Sequence, residues 1–384
     1  MTEKLYDIDS HLKEFTATVI DSYEKADGYM TILDRTAFFP EGGGQPSDTG
    51  YINDARVYDV KIDNGVIYHY TSKQLQKGEK VLARLDFDRR FDFMQQHSAE
   101  HIVSGVAHKL YGCENVGFHL SDEIVTLDFD KPLIKEEISE IEKLSNEAVF
   151  TNAKINAYYP PKAELETISY RSKKEIKEAV RIVEIEGVDA CACCAPHVNF
   201  TGEIGLIKLL GTEKLRGGVR IELKAGSRAF LDYSEKYSGV LKISNALCVK
   251  QNEVYDAVEK LLAQMSDIKY ELTGIKNKML GQTLESFNSD VKCSVLFLDE
   301  FGMKELQTAA DTLYKKLGGI RAVLSANESG FAFAVCGEEE ALDKRFAEFR
   351  QSFSVKGGGR NGMVQGTVIA TREELEKFWQ KIID

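Results

Sequence analysis

The sequence predicts an α+β protein: a small N-terminal β-barrel, an α+β domain behind it, a helical, coiled-coil-like linker and a small C-terminal α/β domain. Three observations carry this. Residues 15–90 hold short runs rich in β-branched and aromatic side chains, separated by turn signals. Near Asp88 the apolar spacing changes from two to three and four, and helical and strand patterns then alternate. From Ser234 to about Ser286 there is no proline, and apolar residues recur at helical steps. A chain of 384 residues exceeds one ordinary core, and the boundaries fall at 1–90, 91–232, 233–288 and 289–384.

The elements follow in order. "FTATVIDSY", "GYMTILDRTAFFP", "DTGYINDARVYDVKIDNGVIYHYT" and "EKVLARLDF" are the barrel strands, with "DNG" as one of the turns. "DRRFDFMQQHSAEHIVSGVAHKLYG" places Phe93, His97, His101, Val103, Ala107 and Leu110 at helical spacing, with Gly112 as its stop. A strand, "IVTLDFD", and a helix after Pro132 come next. "INAYYP" and "RIVEIE" are further strands around the charged run "YRSKKEIKEA". The region 233–288 reads as one long amphipathic helix or a helix pair, a spacer or a dimer seam. The remainder alternates strand and helix, ending in "VKGGGRNGMVQGTV" and a last helix.

Composition excludes some classes of function. No run of about 18 apolar residues exists, so no spanning helix is expected. The first residues, "MTEKLYDIDSHLKEF", lack the apolar core of a signal peptide, so a cytoplasmic location without a membrane partner is expected. An odd count of seven cysteines is not a disulfide framework in a reducing compartment; clustered cysteine there points to metal binding or catalysis. The net charge of −12 argues against an extensive nucleic-acid surface. The stretch from Lys208 to Arg228 is nevertheless locally basic, with Lys208, Lys214, Arg216, Arg220, Lys224 and Arg228 against Glu213 and Glu222.

Chemistry concentrates in two places. His97 and His101 lie four apart on one helix face, a spacing that chelates a tetrahedral metal ion. Glu100 does not directly follow the first histidine, which disfavours a His-Glu-x-x-His protease. The second place is "ACACCAPH", Ala190–His197. Cys193 and His197 offer a thiolate and an imidazole suited to zinc. Cys191 and Cys194 are alternative ligands, and any of the three thiols also fits as a small buried apolar group. Spacing alone does not choose among them. Cys113, Cys248, Cys293 and Cys336 are isolated and read as buried apolar side chains, and His11, His69 and His108 as surface or core residues.

Taken together, "FFPEGGGQPSDTG" (38–50), "HSAEH" (97–101), "CCAPHVNFTGEIG" (193–205) and "RGGVRIELKAGSRA" (216–229) resemble the editing half of alanyl-tRNA synthetase and its free-standing relatives, the AlaX editing proteins. The segment "GGGRNGMVQGTV" (357–368) is similar to the glycine-rich signature of the synthetase's C-terminal domain, which the longest AlaX proteins share. With this segment the resemblance covers nearly the whole chain, and the four motifs before it stand in family order.

The resemblance implies a zinc-containing editing domain with His97, His101, Cys193 and His197 as Zn2+ ligands, acting in catalysis through the ion. It implies substrate contacts from Thr36, Gly42, Gly43, Gly44, Gln45, Gly117, Phe118 and His119. For tRNA it points to Lys208, Lys214, Arg216, Arg220 and the 357–360 run (Gly357, Gly358, Gly359, Arg360). One departure stands out: Cys194-Ala195-Pro196 replaces the family's usual Gly-Gly-Thr between the last two ligands.

With no segment for the class II catalytic domain ahead of the barrel, the expected activity is editing in trans. That is hydrolysis of mischarged tRNA(Ala), chiefly Ser-tRNA(Ala), with Gly-tRNA(Ala) as a second candidate. The rival readings are a non-catalytic tRNA-binding protein of the same fold and a hydrolase of other esters. The helical and C-terminal segments offer a surface for a homodimer.

Overall fold

In the computed structural model, which describes residues 1–25, 28–172, 180–328 and 330–380, the strands Glu14–Lys25, Gly28–Leu33, Val66–Thr71, Ala55–Asp63, Gly50–Ile52 and Lys80–Leu85 pair in that order and close on themselves. Alternation dictates the ring's inside: Phe15, Ala17 and Val19 are buried, whereas Thr16 and Ile20 between and after them are exposed. The "DNG" signal becomes a two-residue hairpin turn with Asn64 at φ 47° and Gly65 at φ 75°, the left-handed pair that a twisted hairpin requires.

Helix Phe87–Tyr111 follows the barrel without a break and ends at Gly112, whose φ of 61° lets its N–H reach the His108 carbonyl. This helix is buried for most of its length. It packs, with helix Lys135–Phe150, on a sheet ordered Ile207–Leu215, Gly218–Ala225, Val125–Phe129, Asn115–Leu120. A three-stranded sheet, Ile155–Tyr158, Ile182–Ile185, Asp189–Ala192, closes the other side. Residues 173–179, most of the charged run noted in the sequence, lie outside the described residues.

The chain divides into two compact units, Met1–Ala246 and Leu247–Asp384. The barrel and the α+β layer share the first. The helical region is two helices, Gly226–Leu247 and Val254–Ser286, and the unit boundary falls at the end of the first, between Ala246 and Leu247. Cys248 sits at that break with φ 54° and is exposed. This corrects its expected burial: a left-handed residue just past a helix end points outward. Cys113, Cys293 and Cys336 are buried.

In the second unit a five-stranded sheet runs Cys293–Phe297, Ile320–Asn327, Gly330–Cys336, Met363–Ile369, Ser354–Arg360. Only its first pair is parallel. Its core includes Phe333, Phe349 and Trp379. The glycine run 357–359 is not a turn; it lies within the edge strand, and the turn is Asn361–Gly362. A Cβ at Gly357 would sit 2.2 Å from the Gln365 carbonyl oxygen, and one at Gly359 would be closer still to that of Met363. Glycine is required there by the neighbouring strand.

Candidate metal centre and active site

The first unit has two hydrophobic cores, one in the barrel and one in the α+β layer, and Cys193 packs against both. The site is therefore built where they meet. Strand Asp189–Ala192 delivers the chain to Cys193, whose N–H bonds to the Arg181 carbonyl at 3.0 Å. Arg181, buried, sends one guanidinium nitrogen to the carbonyls of Ala195 (2.8 Å) and Cys193 (3.2 Å), which shapes the turn. The Ser10 hydroxyl donates to the His197 carbonyl at 2.7 Å, tying the turn to the barrel's N-terminal segment.

His97, His101, Cys193 and His197 come together, with one donor atom of each within 4.8 Å of the others. The three imidazoles stand at ring-centroid distances of 5.5, 4.9 and 4.7 Å. Each has a partner for Nδ1: Gln45 Oε1 for His97 (3.0 Å), Asp189 Oδ2 for His101 (3.3 Å) and Ser98 Oγ for His197 (3.0 Å). With Nδ1 engaged outward in this way, Nε2 is the ring atom of each imidazole left to face the interior. His97 Nε2 and His197 Nε2 lie 3.6 and 3.4 Å from Cys193 Sγ. Tetrahedral zinc with bonds of about 2.0–2.3 Å separates its ligands by about 3.4 Å, so the donor set fits such an ion in kind and in spacing.

Electrostatics separate the two adjacent thiols. Burial would push the Cys193 thiol up, but the imidazoles of His97 and His197 prevail and hold it well below the usual thiol range. Cys194 is exposed as a residue, but its sulfur lies against the glycine loop, and lost solvation there with the charge on Cys193 pushes the thiol up to about 11. Burial likewise works against a charge on His101, yet Glu100 and Asp189 raise it well above the ordinary value. His197 is lowered to about 3 by burial.

The glycine loop faces the cluster. Gly43 and Gly44 have φ of 62° and 83°, and a Cβ on Gly43 would touch Cys194 Sγ at 3.4 Å and His97 Cε1 at 3.9 Å. A Cβ on Gly44 would lie 2.8 Å from Phe118 Cδ1. Phe118 itself stacks obliquely on His97, ring centroids 4.7 Å apart. Gln45 is 1% exposed, and its Nε2 has no partner among the described residues; a buried amide donor left unpaired is costly unless something else accepts from it.

The remaining candidates are placed differently. Thr36 is buried in the barrel, where its Oγ1 lies 2.8 Å from His69 Nε2 and accepts from the Phe38 N–H. Gly117 packs on Asp128, 2.8 Å from a built Cβ to Oδ2. His119 is exposed, on the strand face opposite Phe118, so the structure does not bring it to the cluster. In the basic stretch, Lys208, Arg220, Lys224 and Arg228 pair with Glu142, Asp128, Asp232 and Asp92. Four of the six cations of this locally basic stretch are thus paired within the chain. Lys214 and Arg216 stand exposed at the hairpin's tip.

Several residues at the site escaped the sequence reading. Asp189 and Arg181 carry no motif, and Ser98 lies within "HSAEH" without being singled out there. Glu100, set aside as a protease base, is buried with Oε1 accepting from Ser104 and Asn115 and Oε2 3.7 Å from His101 Nε2. A cavity of about 950 Å³ lies beside this back side of the cluster, lined by Asn115, Arg171 and Asp189 among others, and not by His97, Cys193 or His197.

Comparison with known proteins bears on what this geometry is for. Residues 180–222 match the family model "Threonyl and Alanyl tRNA synthetase second additional domain", and residues 8–89 match "tRNA synthetases class II (A)". The alanyl-tRNA editing protein AlaX-L of Pyrococcus horikoshii is 30% identical, over 98% of this chain and 96% of its own length. The chain belongs to the alanyl-tRNA editing protein family. The editing protein Aarsd1-A of Xenopus laevis is 28% identical over 93% of this chain and 89% of its own. The alanine–tRNA ligase of Ignicoccus hospitalis is 29% identical over 97% of this chain, which spans 42% of that ligase. No helix among the described residues of this family member is long and apolar enough to cross a membrane.

Proposed function

We propose that this protein is a zinc-containing deacylase that hydrolyses the ester of mischarged tRNA(Ala) in trans, chiefly Ser-tRNA(Ala), with Gly-tRNA(Ala) as a second substrate. The observation that carries the reading is the convergence of three Nε2 atoms and one depressed thiol, each imidazole fixed from behind, in a chain of the editing family.

His97, His101, Cys193 and His197 would hold the ion, which supplies positive charge that orients the substrate. An aminoacyl ester is already activated, so the protein's task is chiefly placement. Gly42–Gly44 let the backbone approach the acceptor end without side chains in the way. Gln45 Nε2, unpaired and next to His97, is a donor for an ester or ribose oxygen. Phe118 and Cys194 wall the same space. Water adds to the carbonyl carbon, the C–O bond to the ribose breaks, and the hydroxyl leaves with a proton. Selection of serine over alanine rests on one hydroxyl, which a site built to hydrogen-bond it distinguishes strongly. Thr36, Gly117 and His119 have weaker support, because none contacts the cluster.

Lys214, Arg216 and Arg360 are the exposed cations proposed to meet tRNA. A second copy of the chain is the other proposed partner. On helix Val254–Ser286, Val258, Leu261, Met265, Ile268, Leu272, Ile275 and Met279 alternate steps of three and four and are all exposed, which is the seam of a coiled coil.

The enzymatic reading is tested by incubating wild type and Cys193→Ala with Ser-tRNA(Ala) and Ala-tRNA(Ala). Wild type should hydrolyse the seryl ester selectively and the variant should not. A wild-type protein no faster than buffer on either ester leaves the non-catalytic binding protein as the better account.

A further inference from the structure

The three imidazoles are not held alike. His97 leans on a neutral amide and His197 on a hydroxyl, but His101 leans on a carboxylate. Asp189 is in turn gripped by Arg171, with Nε 2.8 Å from Oδ1 and Nη2 2.7 Å from Oδ2. The pair is secluded, with side-chain exposures of 12% for Arg171 and 2% for Asp189. Arg171 is also stitched to the strand that carries Asp189. Its N–H bonds to the Ala190 carbonyl at 2.8 Å, and its carbonyl accepts from the Ala192 N–H at 2.9 Å. Gly105, one turn beyond His101, brings the helix onto this strand: a Cβ there would sit 2.7 Å from the Asp189 Cβ.

We propose that Arg171 and Asp189 are positioning residues that make His101 the anchor of the metal site, the imidazole that keeps the ion when the other donors loosen. The inference rests on the reading of the cluster as a zinc site. A charge-assisted bond fixes an imidazole more firmly than a neutral one, and a carboxylate behind a metal-bound histidine raises its donor strength. Arg171 holds both Asp189 oxygens, so the carboxylate cannot rotate away. The same grip answers a competing idea. His101, Asp189 and Cys191 also offer donor atoms within 4.8 Å of one another, but both Asp189 oxygens are already engaged by Arg171 and His101.

The test uses the full chain loaded with zinc, and follows transfer of the metal to a chelating dye. Asp189→Asn keeps the shape and removes the charge, and should release zinc about 10-fold faster than wild type. Arg171→Met should fall between the two, Arg171→Lys should recover part of the loss, and Ser98→Ala should change the rate less than Asp189→Asn. Cobalt-substituted Asp189→Asn should also show shifted ligand-field bands, a signature that a purely structural weakening would not produce. Arg171→Lys retains a charge opposite Asp189 and supplies the comparison should Arg171→Met fail to fold. Wild-type release rates together with unshifted cobalt bands in Asp189→Asn overturn the proposal. A wild-type protein that binds no zinc removes the metal reading itself and this inference with it.

Discussion

Cys193 and Cys194 are adjacent in sequence and opposite in character. The first faces three imidazoles and is held as a thiolate; the second packs its sulfur against the glycine loop and stays a thiol. Cys193→Ser is therefore expected to lose zinc, whereas Cys191→Ser and Cys194→Gly keep it, as measured by metal content after gel filtration. His69 offers a second test, through pH. Fully buried, it is lowered by that burial to about 4 from an ordinary 6.5. Its unfolded form takes up a proton first, so stability is complete above pH 6.5 and is lost as pH falls toward 4. At 1.36 kcal/mol per unit the loss reaches about 3 kcal/mol. Melting temperatures of His69→Gln should fall less steeply than wild type over that window, and parallel curves would contradict the account. At this scale helix spacing pairs His97 with His101, while the choice of Cys193 among three thiols comes from the resemblance to the editing family. The outer partners' role as holders of the imidazoles is not legible: the sequence points to Gln45 only as a substrate contact and singles out neither Ser98 nor Asp189. Gln45, Asp189 and Ser98 lie 52, 88 and 99 residues from the histidines they hold, and only the fold joins them.

Among the elements, helix Phe87–Tyr111 and the hairpin at Asn64–Gly65 follow their sequence signals closely, because periodicity and turn chemistry are local. The glycine runs are less transparent. Gly42–Gly44 form a bridged turn beside the cluster, while Gly357–Gly359 make a strand, and the difference lies in what approaches each from elsewhere in the chain. The helical region, expected over 233–288 as one long helix or a helix pair, is a pair; it begins earlier, at Gly226, and breaks after Leu247. The helix beyond the break puts its seam in water and buries Leu280 and Leu284 against helix Met303–Leu317. Ile268→Glu, in mid-seam and far from those two leucines in sequence, is expected to convert a dimer to a monomer in sedimentation velocity without lowering the melting temperature of the monomer. A wild-type chain that sediments as a monomer at every concentration tested would remove the seam's role.

In the whole molecule, all four clustered donors, the glycine loop and Phe118 belong to the unit Met1–Ala246, and the second unit contributes none of them. Charge is distributed in keeping with that division of labour. The chain is acidic overall at −12, and most of its one basic stretch is spent on internal pairs such as Arg228 with Asp92 and Arg220 with Asp128, a distribution that composition could not reveal. Lys214 and Arg216 stay exposed at the tip of that stretch. The most direct test of the central claim is the rate of Ser-tRNA(Ala) hydrolysis by the wild-type chain before chelation, after zinc removal and after zinc is restored. The rate should disappear with the metal and return with it, with Ala-tRNA(Ala) left intact throughout. Undiminished hydrolysis by the zinc-free protein, or none by the zinc-loaded one, would contradict it.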